Sequence, residues 1–121
     1  YDVAEVCDSD LTFTDNYVSD IGVSTQGIQY ITIFNFAGLS SAQPADAAVV
    51  GAVSGTAGAY VITIDTQMLP AATLSNFEVS GSGAYNSTSG EITIVHTIVD
   101  TSLPSTDPNY TDTCTQVYTP Q

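Results

Sequence analysis

Few side chains in this chain offer chemistry, and their spacing narrows what they could do. His96 is the single histidine, so any imidazole catalysis would rest on it. Its obvious role would be general base to a serine, oriented by an aspartate. The nearest serine pattern, Ser80-Gly81-Ser82-Gly83-Ala84, does not make the Gly-x-Ser-x-Gly elbow that exposes a nucleophile. His96 also stands among Ile92, Ile94 and Ile98 in mid-strand, where a hydrogen-bonded structural histidine is expected. Cys7 and Cys114 lie near opposite ends, without the tight spacing or companion ligands of a metal site. An even pair in a short Ser/Thr-rich chain reads as one disulfide made in an oxidising compartment. Asp65, Glu78 and Glu91 are the acids that could serve a two-carboxylate glycosidase, but turn-length loops leave little cleft for a sugar. Asp8, Asp10 and Asp15, with Thr12 and Thr14 between them, are weak calcium candidates. They lack the central glycine and closing glutamate of an EF-hand loop. No other cofactor is expected, and the chain does not read as an enzyme.

The charge pattern excludes more. The 121 residues contain no Lys or Arg against 13 acids, a formal net charge of −13. Nothing here can neutralise nucleic-acid phosphates, hold a phosphate loop or form a Schiff base. An anionic membrane would repel such a chain, and no apolar run is long enough for a transmembrane helix. Hydrophobic residues make up 43% of the chain, so it has the material for a core despite its charge. Asp2, Glu5, Asp8, Asp10, Asp15 and Asp20 crowd the first twenty residues, while only Asp46, Asp65, Glu78 and Glu91 lie in 21–99. Tyr1 reads as the start of a processed or trimmed chain. Asn86-Ser87-Thr88 and Asn109-Tyr110-Thr111 match the N-glycosylation pattern and read as polar turns.

The elements that must position these residues are strands. Val, Ile, Tyr and Phe alternate with Thr and are bounded by Gly, Ser, Asn and Pro. The expected strands are 3–7, 11–14, 28–36, 49–53, 60–65, 77–83, 91–100 and 111–118. Their short connections require antiparallel pairing, because parallel crossovers need a dozen residues or more. The fold expected is one all-β domain, an antiparallel β-sandwich or small barrel of about eight strands, its terminal strands joined by Cys7–Cys114. In 91–100, Ile92, Ile94, His96 and Ile98 share one side, and Thr93, Val95, Thr97 and Val99 the other. In 28–36, Ile31, Ile33 and Asn35 oppose Ile28, Tyr30, Thr32 and Phe34. A solvated face normally alternates with charge; here the second face is β-branched and uncharged.

Taken in order, Cys7, Ile31-Thr32-Ile33-Phe34-Asn35-Phe36, Val53-Ser54-Gly55, Ser80-Gly81-Ser82-Gly83, Ile92-Thr93-Ile94 and Asp112-Thr113-Cys114 resemble small all-β domains of secreted and lipid-anchored surface proteins of Bacteroidota. The resemblance implies fold and location and carries no activity with it. The chain departs from the family in lacking a lipid-attachment cysteine at its start and the usual lysines.

Two functions follow as expectations. One is a secreted structural subunit that polymerises with copies of itself into an extracellular filament or surface layer. The absence of Lys and Arg, which removes every trypsin-type cleavage site, suits long-lived extracellular material. Tyr1–Val6 is expected as an extended arm, and Tyr1, Val3, Val6, Val95 and Val99 as subunit contacts. The alternative is an extracellular binding module, a small barrel or sandwich in which Tyr and Phe line a site for an apolar ligand or glycan.

Overall fold

The computed structural model describes residues 1–23, 27 and 29–121, with backbone alone for Phe13 and Val23. Among these described residues, nine strands form one antiparallel sheet: β1 (Asp2–Cys7), β2 (Asp10–Val18), β3 (Ile21–Val23), β4 (Tyr30–Ile33), β5 (Val49–Thr56), β6 (Ala59–Met68), β7 (Phe77–Tyr85), β8 (Ile92–Asp100) and β9 (Thr111–Thr119). Their spatial order is β2-β1-β9-β8-β7-β6-β5-β4-β3. The sheet curls into a half-barrel. Its two edge strands, β2 and β3, are neighbours in sequence, so the chain crosses the open seam at Ser19 and Asp20. Backbone and side chain share that crossing: Phe34 N–H donates to Asp20 O (2.9 Å), Ser19 Oγ to Phe34 O (2.7 Å) and Asn35 Nδ2 to Val18 O (2.9 Å).

The all-β class, the antiparallel pairing and the disulfide between terminal strands match expectation, and the single curled sheet takes the barrel-like form. Two strands differ in kind. The run expected over 28–36 forms a strand only over Tyr30–Ile33, and Ile28 lies outside the described residues. It ends early because Asn35 (φ 50°) and Ala37 (φ 56°) turn left-handed, starting a 3-10 turn at Phe36–Gly38. Asparagine tolerates that conformation because its short amide can bond locally; here Asn35 Oδ1 accepts Ser40 N–H at 2.9 Å. The second difference is Tyr1–Val6. It is extended, but β1 pairs with β2 on one side and β9 on the other, so it is an interior strand of the sheet.

The concave face holds the core. Val3, Ile33, Val49, Ile62, Ile64, Val79, Ile92, Ile94 and Tyr118 point inward from the strands, and Phe36, Ala47 and Leu69 join them from the connections. Gly81 and Gly83 make room within β7. A Cβ at Gly81 would stand 2.9 Å from His96 Cβ, and one at Gly83 2.8 Å from Ile94 Cγ1. In β6 the register with β7 shifts between Ile64 and Gln67. There the Gln67 amide replaces a missing ladder rung, accepting Val50 N–H and donating to Val50 O, both at 2.9 Å.

Candidate functional site

Strand register assembles a group of polar side chains in the interior. Glu5 and Gln116 are Cα partners across β1 and β9, and Cys7 and Cys114 are partners two residues further along. His96 on β8 is the partner of Cys114. Period-2 alternation therefore sends Glu5, Cys7, Cys114, Gln116 and His96 to one face. Cys7 and Cys114 are bonded, with their Cα atoms 3.9 Å apart.

Glu5 is 6% exposed. Its Oε2 accepts hydrogen bonds from Gln116 Nε2 (2.6 Å) and Tyr17 OH (3.1 Å), and Tyr118 OH donates to Gln116 Oε1 (2.8 Å). Burial pushes the Glu5 carboxyl above the usual range, and the Asp15 and Asp112 charges add to this; the two donated bonds pull the other way. Burial raises the Tyr17 and Tyr118 hydroxyls above the ordinary tyrosine value, so both remain protonated donors. Glu5 Oε1 lies 3.7 Å from Cys7 Sγ, a sulfur that carries no proton in the disulfide.

His96 is 1% exposed, and among the described residues neither ring nitrogen has a hydrogen-bond partner. The structural histidine expected here is buried but lacks the expected hydrogen bond. Its ring packs edge-on against Phe36, with centroids 4.7 Å apart. Burial in that setting pushes its pKa down to about 4, with Asp112 opposing the shift.

Two surfaces complete the inventory. At one end of the half-barrel, Ile21, Ile31, Val53, Tyr60, Ile62, Tyr85 and Ile92 line an apolar cavity of about 210 Å³. On the convex face, register aligns two cross-strand rows. One runs Ala4, Val117, Thr93, Ala84, Val61; the other runs Val6, Thr115, Val95, Ser82, Thr63. Neither row contains a charge. Val95 (46% exposed) and Val61 (44%) are the most open valines of the two rows.

The expected contact residues therefore separate. Val6 and Val95 share a convex row, and Val99 lies further along β8 opposite Thr111. Val3 is in the core, and Tyr1 folds onto Tyr118 edge-on with centroids 6.3 Å apart while its amine donates to Ser19 O. Asp8, Asp10 and Asp15 are not brought together. Asp10 Oδ1 caps Thr12, while Asp15 stands opposite Glu5. Among the described residues, the group of His, Cys, Asp and Glu donors close enough to share a cation is Glu5, Cys7 and Cys114. Asn86 caps its own turn through Thr88 N–H (3.0 Å). The Glu5–Gln116–Tyr17–Tyr118 network escaped the sequence reading. Its one visible signal is Glu5 alternating in phase with Val3 and Cys7. Comparison with protein-family models, curated proteins and solved structures finds no match to this chain.

Proposed function

We propose that the chain is a secreted structural subunit that associates with copies of itself through its convex face into an extracellular filament or layer. The observation that carries this reading is the charge-free pair of rows across β1, β9, β8, β7 and β6 in a chain of net charge −13. A chain without Lys or Arg has no side-chain cation to form salt bridges with a second copy, so like-charge contacts between copies go uncompensated. Copies can then meet closely only where acids are absent. Sheet faces pack about 10 Å apart with interleaved side chains, and small Thr, Ser, Val and Ala suit that spacing. The disulfide fits an oxidising, extracellular setting. Light scattering and negative-stain microscopy of wild type and Val95→Asp test the reading. Wild type should form large particles, and the variant should remain small with an unchanged β-sheet signal. A wild type that stays monomeric at all salt and protein concentrations rejects it.

A second reading rests on the apolar cavity. It is open to solvent, and all seven of its lining residues are apolar or aromatic, the lining expected of a site for a small apolar ligand. A small apolar ligand would seat against Ile62 and Ile92. Saturable binding of an apolar fluorophore, lost in Ile62→Asn, would favour this binding-module function.

A further inference from the structure

The Cys7–Cys114 bond has carboxylates around it. Glu5 stands two residues before Cys7 on the same face, and its Oε1 lies 3.7 Å from Cys7 Sγ. A Glu5 oxygen and both sulfurs lie within 4.8 Å of one another. Gln116 Nε2 and Tyr17 OH donate to Oε2, which favours the ionised form and fixes the carboxylate beside the sulfurs. Asp10 is the Cα partner of Cys7 across β1 and β2, and Asp8 follows Cys7 in the chain. Asp112 precedes Cys114 by two residues on β9, and its carboxylate accepts from Ser9 N–H (3.2 Å) and Ser9 Oγ. The Asp112 charge reaches both Glu5 and His96. The chain has no Lys or Arg to offset these four acids.

A disulfide is opened by a thiolate, itself an anion, which attacks one sulfur while the other leaves. Cys114 is buried and Cys7 half-buried, so the attack falls on Cys7 Sγ and Cys114 is the leaving sulfur. Negative charge therefore arrives, and then departs, beside Glu5. The carboxylate repels the incoming thiolate and disfavours the charge that the Cys114 sulfur must take, and both effects slow the exchange. We propose that Glu5, with Asp8, Asp10 and Asp112, shields the crosslink from anionic thiols, so that the bond is long-lived towards that class of reductant and opens faster to cationic ones. Two thiols balance the reaction. The first thiolate bonds to Cys7 Sγ, the S–S bond breaks, and Cys114 takes a proton from solvent. The second attacks the external sulfur of the mixed disulfide, Cys7 leaves and is protonated, and the two reagents depart as their own disulfide. A chain without basic side chains thereby protects the bond that ties β1 to β9. The inference holds whether or not copies of the chain associate.

The test is the rate at which mercaptoacetate, 2-mercaptoethanol and cysteamine, which are anionic, neutral and cationic, reduce the oxidised chain at pH 8 and low salt. Acid quenching, alkylation and mass spectrometry count the opened bonds, and circular dichroism checks that the sheet is intact at the start. Dividing each rate by that reagent's rate on bis(2-hydroxyethyl) disulfide removes intrinsic reactivity. Cysteamine should then lead mercaptoacetate by about tenfold or more, the lower end of what charge does to an encounter rate. In 1 M sodium chloride, where the Debye length is about 3 Å, most of that gap should close. Glu5→Gln should speed mercaptoacetate severalfold and narrow the gap. Asp8→Asn/Asp10→Asn should narrow it too, and this variant alters exposed residues alone, so the interior stays intact. Equal normalised rates for the three thiols overturn the proposal, as they would if the bond opened only after unfolding. A gap that salt closes but neither variant narrows belongs to the net charge of −13 and overturns it as well.

Discussion

His96 and Ala37 each carry a local cost that a substitution can expose. In the oxidised protein, burial holds His96 at about 4 against an ordinary 6.5. The folded state then refuses a proton that the unfolded state accepts, so stability is full above pH 6.5 and falls as pH drops towards 4. The loss from this group is on the order of 3 kcal/mol. Glu5 acts with the opposite sign. Its carboxyl is raised by burial, so acidification relieves it and the two effects partly cancel in wild type. Urea midpoints measured between pH 7 and pH 4 should separate them: His96→Phe should resist acid better than wild type. Parallel midpoint curves would show that His96 titrates normally. Ala37 has φ 56°, a conformation that costs a residue with a Cβ roughly 1–2 kcal/mol. Ala37→Gly should therefore stabilise the fold by about 0.5–1 kcal/mol, after glycine's greater unfolded-state entropy is subtracted. The same urea titration reads it, and a destabilised variant would contradict it. At this scale the sequence showed which residues could do chemistry but not which were neighbours. Glu5 meets Gln116 and Tyr17 only because β1 lies between β2 and β9, a pairing that no local pattern encodes.

Among the elements, β7 depends most on what it lacks. Gly81 and Gly83 let β8 place His96 and Ile94 over the bare backbone. A methyl at Gly81 would come within 2.6 Å of Val95 O as well as 2.9 Å of His96 Cβ. Backbone cannot yield as a flexible side chain can, so Gly81→Ala should cost roughly 1–3 kcal/mol. A thermal melt shows this, and an unchanged melting temperature would mean that the two strands separate easily. Gly58, by contrast, has open space around its Cβ position. The Gly-Ser-Gly run was legible as the end of a strand over 77–83, while its packing role required knowing which strand lies beside it. Alternation exposed β6 and β8 most clearly, because inward Ile62 and Ile64, and Ile92 and Ile94, stand two residues apart. It missed β3, whose three residues are too short for a pattern. It also extended the run before Phe36 too far, because Phe34-Asn35-Phe36 keeps the period while the backbone turns left-handed. Hydrophobic periodicity cannot register a change of φ at one asparagine.

Over the whole molecule, the disulfide and the net charge act against each other. The bond spans a sequence separation of 107 residues, and the chain-entropy estimate for such a loop is about 4–5 kcal/mol. That is a large share of the roughly 5–15 kcal/mol by which ordinary domains are stable, so reduction should lower the melting temperature sharply. The net charge of −13 opposes folding and association together. Its reach is set by salt: the Debye length is about 10 Å at 0.1 M and 3 Å at 1 M. Sheet faces in contact bring the flanking acids of two copies to within about 10 Å, so moderate salt leaves their repulsion largely intact and high salt removes it. Apolar contact at Val95, Val61 and Val6 is indifferent to simple screening and strengthens in sulfate. Particle size should therefore rise with sodium chloride and rise further with sodium sulfate at equal ionic strength. Val95→Asp should shift the onset to higher salt, because the new charge sits at the centre of a row and must itself be screened. An ion-pair interface would behave in the reverse way and dissolve as salt is added. Dissociation on raising sodium chloride, read by light scattering, would therefore rule out the convex face as the contact.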